Sequence, residues 1–323
     1  MDSQDQETPI ELQNVTRIFQ PNTGVFDLDL CVPAGTIVGL IGPSGSGKTT
    51  TVRLMLGLLK PDTGEMTVLG ERPMQFSKRT RERIGYMPQQ FVLYPNLTVQ
   101  ENLRFVASLY GMGYFSRRGR LEEVLQFVEL ADVRNRLGGQ LSGGMQRRLE
   151  LACSLVHDPL LLFADEPTAG IDPVLRSKFW AYFRELRDAG RTLFITTQYV
   201  GEAAYCDLVG VMREGRLVLV DTPEELRRKA LGGEVIKIAV DQRFIFRAAQ
   251  VLQRQPGVSL VRVARDEVGG LYVHVDDAGD ALPGIIQALN DHPDIVVKQA
   301  EEYLPPFDDV FVMLMRQMEQ TDV

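Results

Sequence analysis

Residues 42–49 constrain the fold of this chain more than any other segment does. They read Gly-Pro-Ser-Gly-Ser-Gly-Lys-Thr and fit the pattern G-x-x-x-x-G-K-[ST]. The segment follows residues 36–41, a continuous apolar run typical of a buried strand, and precedes a stretch that we predict to be a helix. Glycines in such a turn allow backbone N–H groups to point inward, where a phosphate can bind. We therefore predict an α/β fold built around a phosphate-binding loop.

The residue types of this loop predict how a nucleotide would be held. Lys48 provides a positive charge for the β- and γ-phosphates and is a candidate catalytic residue, and the Thr49 hydroxyl is a suitable Mg²⁺ ligand. The following helix adds the positive end of its dipole. We predict ATP and Mg²⁺ as cofactors. The predicted nucleotide contacts are Gly42, Pro43, Ser44, Gly45, Ser46, Gly47, Lys48, Thr49 and Thr50.

A second buried strand is predicted to end in two carboxylates. Residues 160–164 are apolar and are followed by Asp165 and Glu166. In enzymes with a phosphate-binding loop, an acid at the carboxyl end of a strand holds Mg²⁺, so we assign Asp165 as a metal ligand. Glu166 comes one residue later and points differently. It is the predicted catalytic residue that orients or deprotonates the attacking water.

Strand-like and helix-like stretches alternate along residues 1–232, which we assign to one α/β domain. After Thr98 the pattern becomes predominantly helical and strand signals are missing. We therefore place a helical insertion at about residues 98–150 of this domain. Glu214-Gly215 separates two apolar runs and is predicted to form a hairpin turn.

Leu231-Gly-Gly233 indicates a domain boundary, and we predict a second domain at residues 233–323. The pattern there predicts strand, helix, strand, strand, helix and strand, which is the ferredoxin-like α+β arrangement, and then a terminal helix at residues 307–318. This domain has 8 basic and 15 acidic side chains and no ligand motif. We expect it to support a dimer, to regulate, or to be purely structural.

Composition excludes several classes of protein. The chain has 323 residues, of which 44% are hydrophobic and 24% charged, as expected for a folded globular protein. No apolar run approaches the roughly 18 residues that a membrane span needs, and the acidic N-terminus lacks the apolar part of a signal peptide. The net charge of −8 makes nucleic acid an unexpected partner. Three scattered cysteines suit a reducing cytosol.

The segment Leu141-Ser-Gly-Gly-Met145 resembles the signature motif of ABC ATPases, and the first 230 residues follow the order of motifs in that family. The resemblance implies that Asp165 and Glu166 are the Walker B pair. It implies that Gln89 is the Q-loop glutamine, which contacts Mg²⁺ and takes part in catalysis. It also implies that Phe19 stacks on the adenine ring, although packing in the core is an alternative for an aromatic residue.

The signature segment has its own physical chemistry. Ser142 is predicted to be the N-cap of a helix and lies beside Gly143 and Gly144, so a hydroxyl, backbone N–H groups and a helix dipole meet there. A plain helix cap without a ligand is the alternative. The resemblance implies that these three residues bind the nucleotide held by a second ATPase chain. We therefore expect a head-to-tail dimer, and specifically a homodimer.

Gln198 departs from the family pattern, because most ABC ATPases have a histidine at this position. An amide can donate a hydrogen bond to the γ-phosphate, but it cannot be protonated. Relatives resembling antibiotic-resistance exporters also have glutamine here, so we expect Gln198 to be a catalytic residue and activity to be retained. The three histidines, His157, His274 and His292, match no functional position and are expected to be structural.

Three kinds of ABC protein are compatible with one ATPase domain and no membrane span. Met145 and the tail Pro305–Phe311 resemble exporter ATPases whose membrane permease is a separate chain. The resemblance therefore implies an ATP-hydrolysing exporter subunit, bound peripherally at the cytoplasmic face of the cell membrane. An importer ATPase with a C-terminal sensor domain and a soluble ABC ATPase without a transport role are the alternatives.

The resemblance to ABC transporters implies that the permease contact lies along residues 89–97, beside the Q-loop glutamine. Within it, Phe91, Val92, Leu93 and Tyr94 form a cluster that is unusually apolar for a loop. Exposed apolar patches often indicate a contact site. Packing of the cluster against the helical insertion is the alternative.

Overall fold

The computed structural model describes residues 8–90, 92–264 and 269–321. Within these ranges no helix combines the length and the apolar character that crossing a bilayer requires.

The chain divides into two compact units, Met1–Asp221 and Thr222–Val323. This division comes earlier than the predicted boundary after residue 232. The reason is the helix Pro223–Leu231, which packs against the last helix of the chain and therefore belongs to the second unit. Its N-cap is Thr222, whose hydroxyl accepts a hydrogen bond from the backbone N–H of Glu225.

The first unit combines a mainly parallel sheet, an antiparallel sheet and helices. Its strands are β1 (Ile10–Gln20), β2 (Thr23–Val32), β3 (Ile37–Ile41), β4 (Thr63–Val68), β5 (Ile84–Met87), β6 (Leu161–Asp165), β7 (Thr192–Thr197), β8 (Leu208–Arg213) and β9 (Arg216–Asp221). Its helices are α1 (Lys48–Met55), α2 (Lys78–Arg81), α3 (Val99–Leu109), α4 (Tyr114–Phe127), α5 (Gly143–Leu155) and α6 (Pro173–Asp188).

The larger sheet of this unit has the strand order β5-β6-β7-β3-β8-β9. Neighbouring strands are parallel except β8 and β9, which are antiparallel. Every residue of β3, β6 and β7 is buried, which explains their continuous apolar runs. Because these strands are neighbours and parallel, their carboxyl ends lie at one edge of the sheet, where ligands bind in open α/β sheets.

The smaller sheet is antiparallel, with the order β2-β1-β4, and β1 includes Phe19. The hairpin between β8 and β9 turns at Glu214 and Gly215, whose φ angles are 51° and 79°. Two positive φ angles match the twist of a two-residue hairpin, so the predicted turn is confirmed.

The predicted insertion at about residues 98–150 corresponds to helices α3, α4 and α5. Thr98 and Glu101 form a reciprocal capping box at the start of α3. Two short 3₁₀ segments, Ala131–Val133 and Gly138–Gln140, connect α4 to α5.

The second unit contains one antiparallel sheet with the strand order β11-β12-β10-β13. Its strands are β10 (Glu234–Val240), β11 (Val258–Val263), β12 (Gly270–Val275) and β13 (Val297–Glu302). Its helices are α7 (Pro223–Leu231), α8 (Ile245–Leu252), α9 (Ala278–Asn290) and α10 (Phe307–Thr321). From β10 to β13 the elements follow the predicted order of strands and helices. Helices α8 and α9 cover the sheet face that carries Ile236, Ile238 and Val273, which form its core.

Candidate functional site

The phosphate-binding loop connects β3 to α1 and is tightly enclosed by its neighbours. A Cβ atom on Gly42 would lie 2.4 Å from the carbonyl oxygen of Met212, and one on Gly47 would lie 2.7 Å from Cγ1 of Val25. Gly47 also has a φ angle of 109°, which side-chain-bearing residues rarely adopt. Only glycine fits these two positions. The buried hydroxyl of Ser46 has no hydrogen-bond partner in the described ranges, so it is available to a ligand.

The side chain of Lys48 is buried at this loop. Its Nζ donates hydrogen bonds to the carbonyl oxygens of Gly42, at 2.8 Å, and Pro43, at 3.0 Å. It also lies 3.9 Å from Oε1 of Glu166. Burial lowers the pKa of the Lys48 ammonium, while the charges of Glu166 and Asp165 oppose that effect. The loop carbonyls thus hold the ammonium between the phosphate-binding loop and the two carboxylates.

Asp165 ends β6 and is 1% exposed. Its Oδ1 accepts hydrogen bonds from the hydroxyls of Thr49, at 3.2 Å, and Thr196, at 2.5 Å. The two predicted Mg²⁺ ligands of the loop and the strand are therefore adjacent, and both are the hard oxygen donors that Mg²⁺ prefers.

A magnesium site at this position would not be an all-protein cage. The described residues contain no group of three or more His, Cys, Asp or Glu side chains that could hold a metal ion. Mg²⁺ is commonly held by one or two protein oxygens together with phosphate oxygens and water. The pair Thr49 and Asp165 fits that mode of binding.

Glu166 follows β6 in a left-handed backbone conformation, with a φ angle of 47°. This conformation is costly for a residue that is not glycine, and such strain is concentrated at functional sites. The backbone N–H of Glu166 donates to Thr196 Oγ1 at 3.0 Å. Its carboxylate Oε2 accepts from Nε2 of Gln89, also at 3.0 Å. The structure thus brings Gln89 and Glu166 together as direct partners, on the segments that follow β5 and β6.

Arg147 on α5 is a member of the site that the sequence analysis missed. Its guanidinium donates to the carbonyl oxygens of Glu166, at 2.8 Å, and Pro88, at 2.9 Å, and to Oε2 of Glu150, at 2.7 Å. Both Arg147 and Glu150 are buried. Oε1 of Glu150 accepts from the backbone N–H of Val92 at 3.2 Å. The helix that begins at the signature segment is therefore bonded to Glu166 itself and to Pro88 and Val92, which lie on either side of Gln89.

Burial raises the pKa of the Glu150 carboxyl group, and Arg147 acts in the opposite direction. The only signal for this pair in the sequence is the i, i+3 spacing of opposite charges on a helix. Ion pairs on the protein surface show the same spacing, so the spacing alone does not indicate that this pair is buried.

The signature residues lie at the N-terminus of α5. Ser142 is the N-cap, and its hydroxyl accepts a hydrogen bond from the backbone N–H of Met145 at 3.3 Å. Ser142 and Gly143 are exposed, whereas a Cβ on Gly144 would lie 2.6 Å from Leu175. Within the described part of the chain, the Ser142 hydroxyl makes no bond to the phosphate-binding loop. The N-terminus of α5 is therefore exposed to solvent at Ser142 and Gly143.

Gln198 directly follows β7, and its side chain is exposed. Behind it, the Thr197 hydroxyl donates to Oε2 of the buried Glu202 at 2.6 Å, and the backbone N–H of Tyr199 donates to the Thr197 hydroxyl. The loop that carries Gln198 is therefore anchored on both sides of this residue.

Phe19, on β1, is 49% exposed, so it is not a core residue. The Arg17 guanidinium lies 5.4 Å from the centre of its ring. An exposed aromatic face of this kind is compatible with stacking on a base, which stays a prediction.

The fold and this arrangement of side chains define an ATPase of the phosphate-binding-loop class. A family model described as ABC transporter matches residues 25–169. A solved structure described as the ATP-binding subunit of an ABC transporter is 27% identical with a TM-score of 0.62, over 69% of this chain and 93% of that one. The ATP-binding cassette MJ0796, solved as a post-hydrolysis dimer with ADP and phosphate, is 28% identical with a TM-score of 0.60, over 66% and 98%.

Curated relatives extend the match. The daunorubicin/doxorubicin resistance ATP-binding protein DrrA of Streptomyces peucetius is 34% identical over 307 residues, 94% of this chain and 92% of that protein. The Nod factor export ATP-binding protein I of Burkholderia lata is 39% identical over 231 residues, 71% and 76%. The probable multidrug ABC transporter ATP-binding protein YbhF of Escherichia coli is 37% identical over 239 residues, 74% of this chain but 41% of that protein. The chain belongs to the family of ABC transporter ATP-binding proteins.

Proposed function

We propose that this chain is the ATP-binding and ATP-hydrolysing subunit of an ABC exporter and drives transport through a separate membrane permease. The observation that carries the proposal is the meeting of Lys48, Thr49, Asp165, Glu166 and Gln89 at one edge of the parallel sheet. The relatives named for multidrug transport, daunorubicin resistance and Nod factor export favour an exporter.

Each side chain of the site has a task that its position permits. The backbone of the phosphate-binding loop and Lys48 bind the phosphates, and the buried Ser46 hydroxyl adds a polar group to the loop. Mg²⁺, when bound, neutralises charge on the β- and γ-phosphates, and Thr49, Asp165 and Gln89 are the residues that would hold it. Glu166 orients or deprotonates the attacking water. Gln198 follows the neighbouring strand and supplies an uncharged donor for the γ-phosphate.

The exposed cap at Ser142 supports a head-to-tail homodimer. Nothing described lies within 4 Å of the place where a Cβ on Gly143 would be, and among the described residues the Ser142 hydroxyl makes no bond to the phosphate-binding loop of its own chain. A helix N-terminus is favourable for a phosphate. In the proposed dimer, Ser142, Gly143 and Gly144 contact the ATP of the second chain. The similar cassette MJ0796 was solved as a dimer, which supports a dimeric state for this chain.

The proposed permease contact lies along residues 89–97. Val92 is 63% exposed and Tyr94 is 50% exposed, while Phe91 lies outside the described residues. The ring of Tyr94 packs edge-on against Phe105 of α3 with the ring centres 4.9 Å apart. Part of the apolar cluster therefore packs on the helical insertion, as the alternative holds, and the exposed remainder is left for a membrane subunit. In this proposal, the ATPase chain itself binds peripherally at the cytoplasmic face of the membrane.

We further propose that residues 233–323 form an accessory ferredoxin-like α+β domain. The order of elements from β10 to β13 supports this assignment. So does the antiparallel sheet, in which β10 and β12 are the central strands.

Affinity purification of the tagged chain from its native membranes tests the proposed function. We expect a chain with several membrane spans to co-purify, and Mg²⁺-dependent ATP hydrolysis in the purified complex. Recovery of ribosomes without any membrane protein would favour a soluble ABC ATPase. Recovery of a substrate-binding protein with the permease would favour an importer.

A further inference from the structure

The second unit contains a cavity of about 480 Å³. Helices α8 and α9 cover the face of the sheet on which Val273 lies. Side chains alternate along a strand, so Tyr272 and His274, on either side of Val273, lie on the opposite face, and the cavity that they line is there. Tyr272 and His274 on β12 line it from the sheet. Met313 on α10 and Leu231 at the end of α7 line it from the helices. All of its lining residues belong to the second unit, so the cavity is a property of that unit alone.

The floor of the cavity is aromatic. Tyr272 and Tyr303 lie with ring centres 4.7 Å apart and ring planes at 49°. Val235, between them on the neighbouring strand β10, and Met313 add apolar surface. Flat aromatic rings and a flexible methionine form a surface that suits a planar ring.

The charges of the cavity are all positive. Arg262 on β11 and Arg316 on α10 line it, and none of the described lining residues is a carboxylate. Neither guanidinium has a hydrogen bond or an ion pair in the described ranges. By contrast, Arg243 pairs with Asp241 and Arg247 pairs with Asp294.

The described lining of the cavity is basic, whereas the surrounding segment is acidic overall. Residues 233–323 carry 15 acidic and 8 basic side chains, yet both charged residues named in the cavity lining are arginines. Burial and the nearby charge of Arg262 lower the pKa of His274, which favours the neutral ring. The cavity therefore combines two free cations, a neutral polar ring and an aromatic floor.

We propose that this cavity binds a planar aromatic small molecule that carries an acidic group. The volume lies within the roughly 300–1,000 Å³ of small-molecule sites. The two tyrosines contact the ring system, and Arg262 and Arg316 bind the acidic group with the charge-assisted hydrogen bonds that guanidinium forms with carboxylates. The site is separate from the ATP site and is independent of the proposed transport function.

Isothermal titration calorimetry of the full chain with 2-naphthoate tests this proposal. We expect saturable binding, and much weaker binding of 2-naphthalenemethanol, which lacks the charge, and of cyclohexanecarboxylate, which lacks the aromatic ring. Arg262→Gln and Arg316→Gln should each weaken 2-naphthoate binding by about ten-fold, as loss of a hydrogen bond between charged groups does. Tyr303→Leu should weaken it by roughly five-fold.

Arg254→Gln is the matched control, because Arg254 is exposed and does not line the cavity. Circular dichroism melts establish that each variant is folded. The proposal is overturned if 2-naphthoate shows no saturable binding at about 1 mM. It is also overturned if the three cavity variants bind like the wild type, or if Arg254→Gln weakens binding as much as they do.

Discussion

Replacing Arg147 with methionine should destabilise the first unit strongly. The change removes the hydrogen bonds to Pro88 and Glu166 and leaves the carboxylate of Glu150, which is 3% exposed, without its cation. Removing one partner of a buried ion pair typically costs about 3–5 kcal/mol. For a unit of this size, about 2–4 °C of melting temperature is lost per kcal/mol, so we expect a decrease of about 6–20 °C.

The assay is thermal unfolding followed by tryptophan fluorescence. The chain has one tryptophan, Trp180, which is buried in the first unit and therefore reports on that unit. Arg148→Met on the same helix is the matched control. Arg148 donates to the carbonyl oxygens of Val128 and Glu129 and pairs with the Glu129 carboxylate, which is half exposed and also bonds to Lys178. Its loss leaves no buried unpaired charge and should cost about 1–2 kcal/mol.

A double variant separates the cause. Adding Glu150→Leu to Arg147→Met removes the unpaired charge, so the double variant should be more stable than the single one. Melting of Arg147→Met within about 2 °C of the wild type, or an equal loss of stability in the control, would show that the buried pair does not stabilise this unit.

Three further predictions concern the site. Glu166→Gln should retain ATP binding while phosphate release falls by about 10²–10⁴-fold, because the water loses its general base; turnover at the wild-type rate would contradict this role. The stability deficit of Arg147→Met should shrink as the pH is lowered from 8 to 5. Burial raises the pKa of Glu150 in the folded state, so the folded state loses stability as the pH rises through that pKa. The loss is larger without Arg147, because Arg147 opposes the increase in pKa. Urea unfolding at each pH measures the deficit, and a deficit that does not change with pH would contradict this prediction. Tyr94→Asp should leave ATP binding intact and lower the melting temperature by only a few degrees, because half of the side chain is exposed and one edge-on contact with Phe105 is lost. It should weaken co-purification with the membrane subunit, and full recovery of that subunit would exclude this contact.

The parts of the site that follow directly from chain order could be predicted from the sequence. The loop from Gly42 to Thr49 follows one buried strand, and Asp165 ends another. Neighbouring parallel strands place their carboxyl ends at the same edge of the sheet. The adjacency of Thr49 and Asp165 follows from that rule. The hairpin at Glu214-Gly215 also depends only on local backbone conformation, and the structure confirms it.

Features that depend on tertiary contacts could not be predicted in this way. The bonds of Arg147 to Pro88 and Glu166 join residues that are far apart in sequence, and local pattern does not encode them. The boundary at Asp221 differs from the expected one for the same reason. The Leu231-Gly-Gly233 turn is a strong local signal, but packing of α7 on α10 decides to which unit that helix belongs.

Light scattering of the Glu166→Gln variant with Mg²⁺-ATP measures whether two chains complete each ATP site. We expect a stable dimer that contains two ATP molecules and that does not form when Ser142→Arg is added, because a bulky cation then occupies the exposed helix cap. Ser108→Arg, at an exposed position on α3, is the control and should leave the dimer intact. A variant that stays monomeric with ATP bound, or a dimer that forms equally well with Ser142→Arg, would contradict the account.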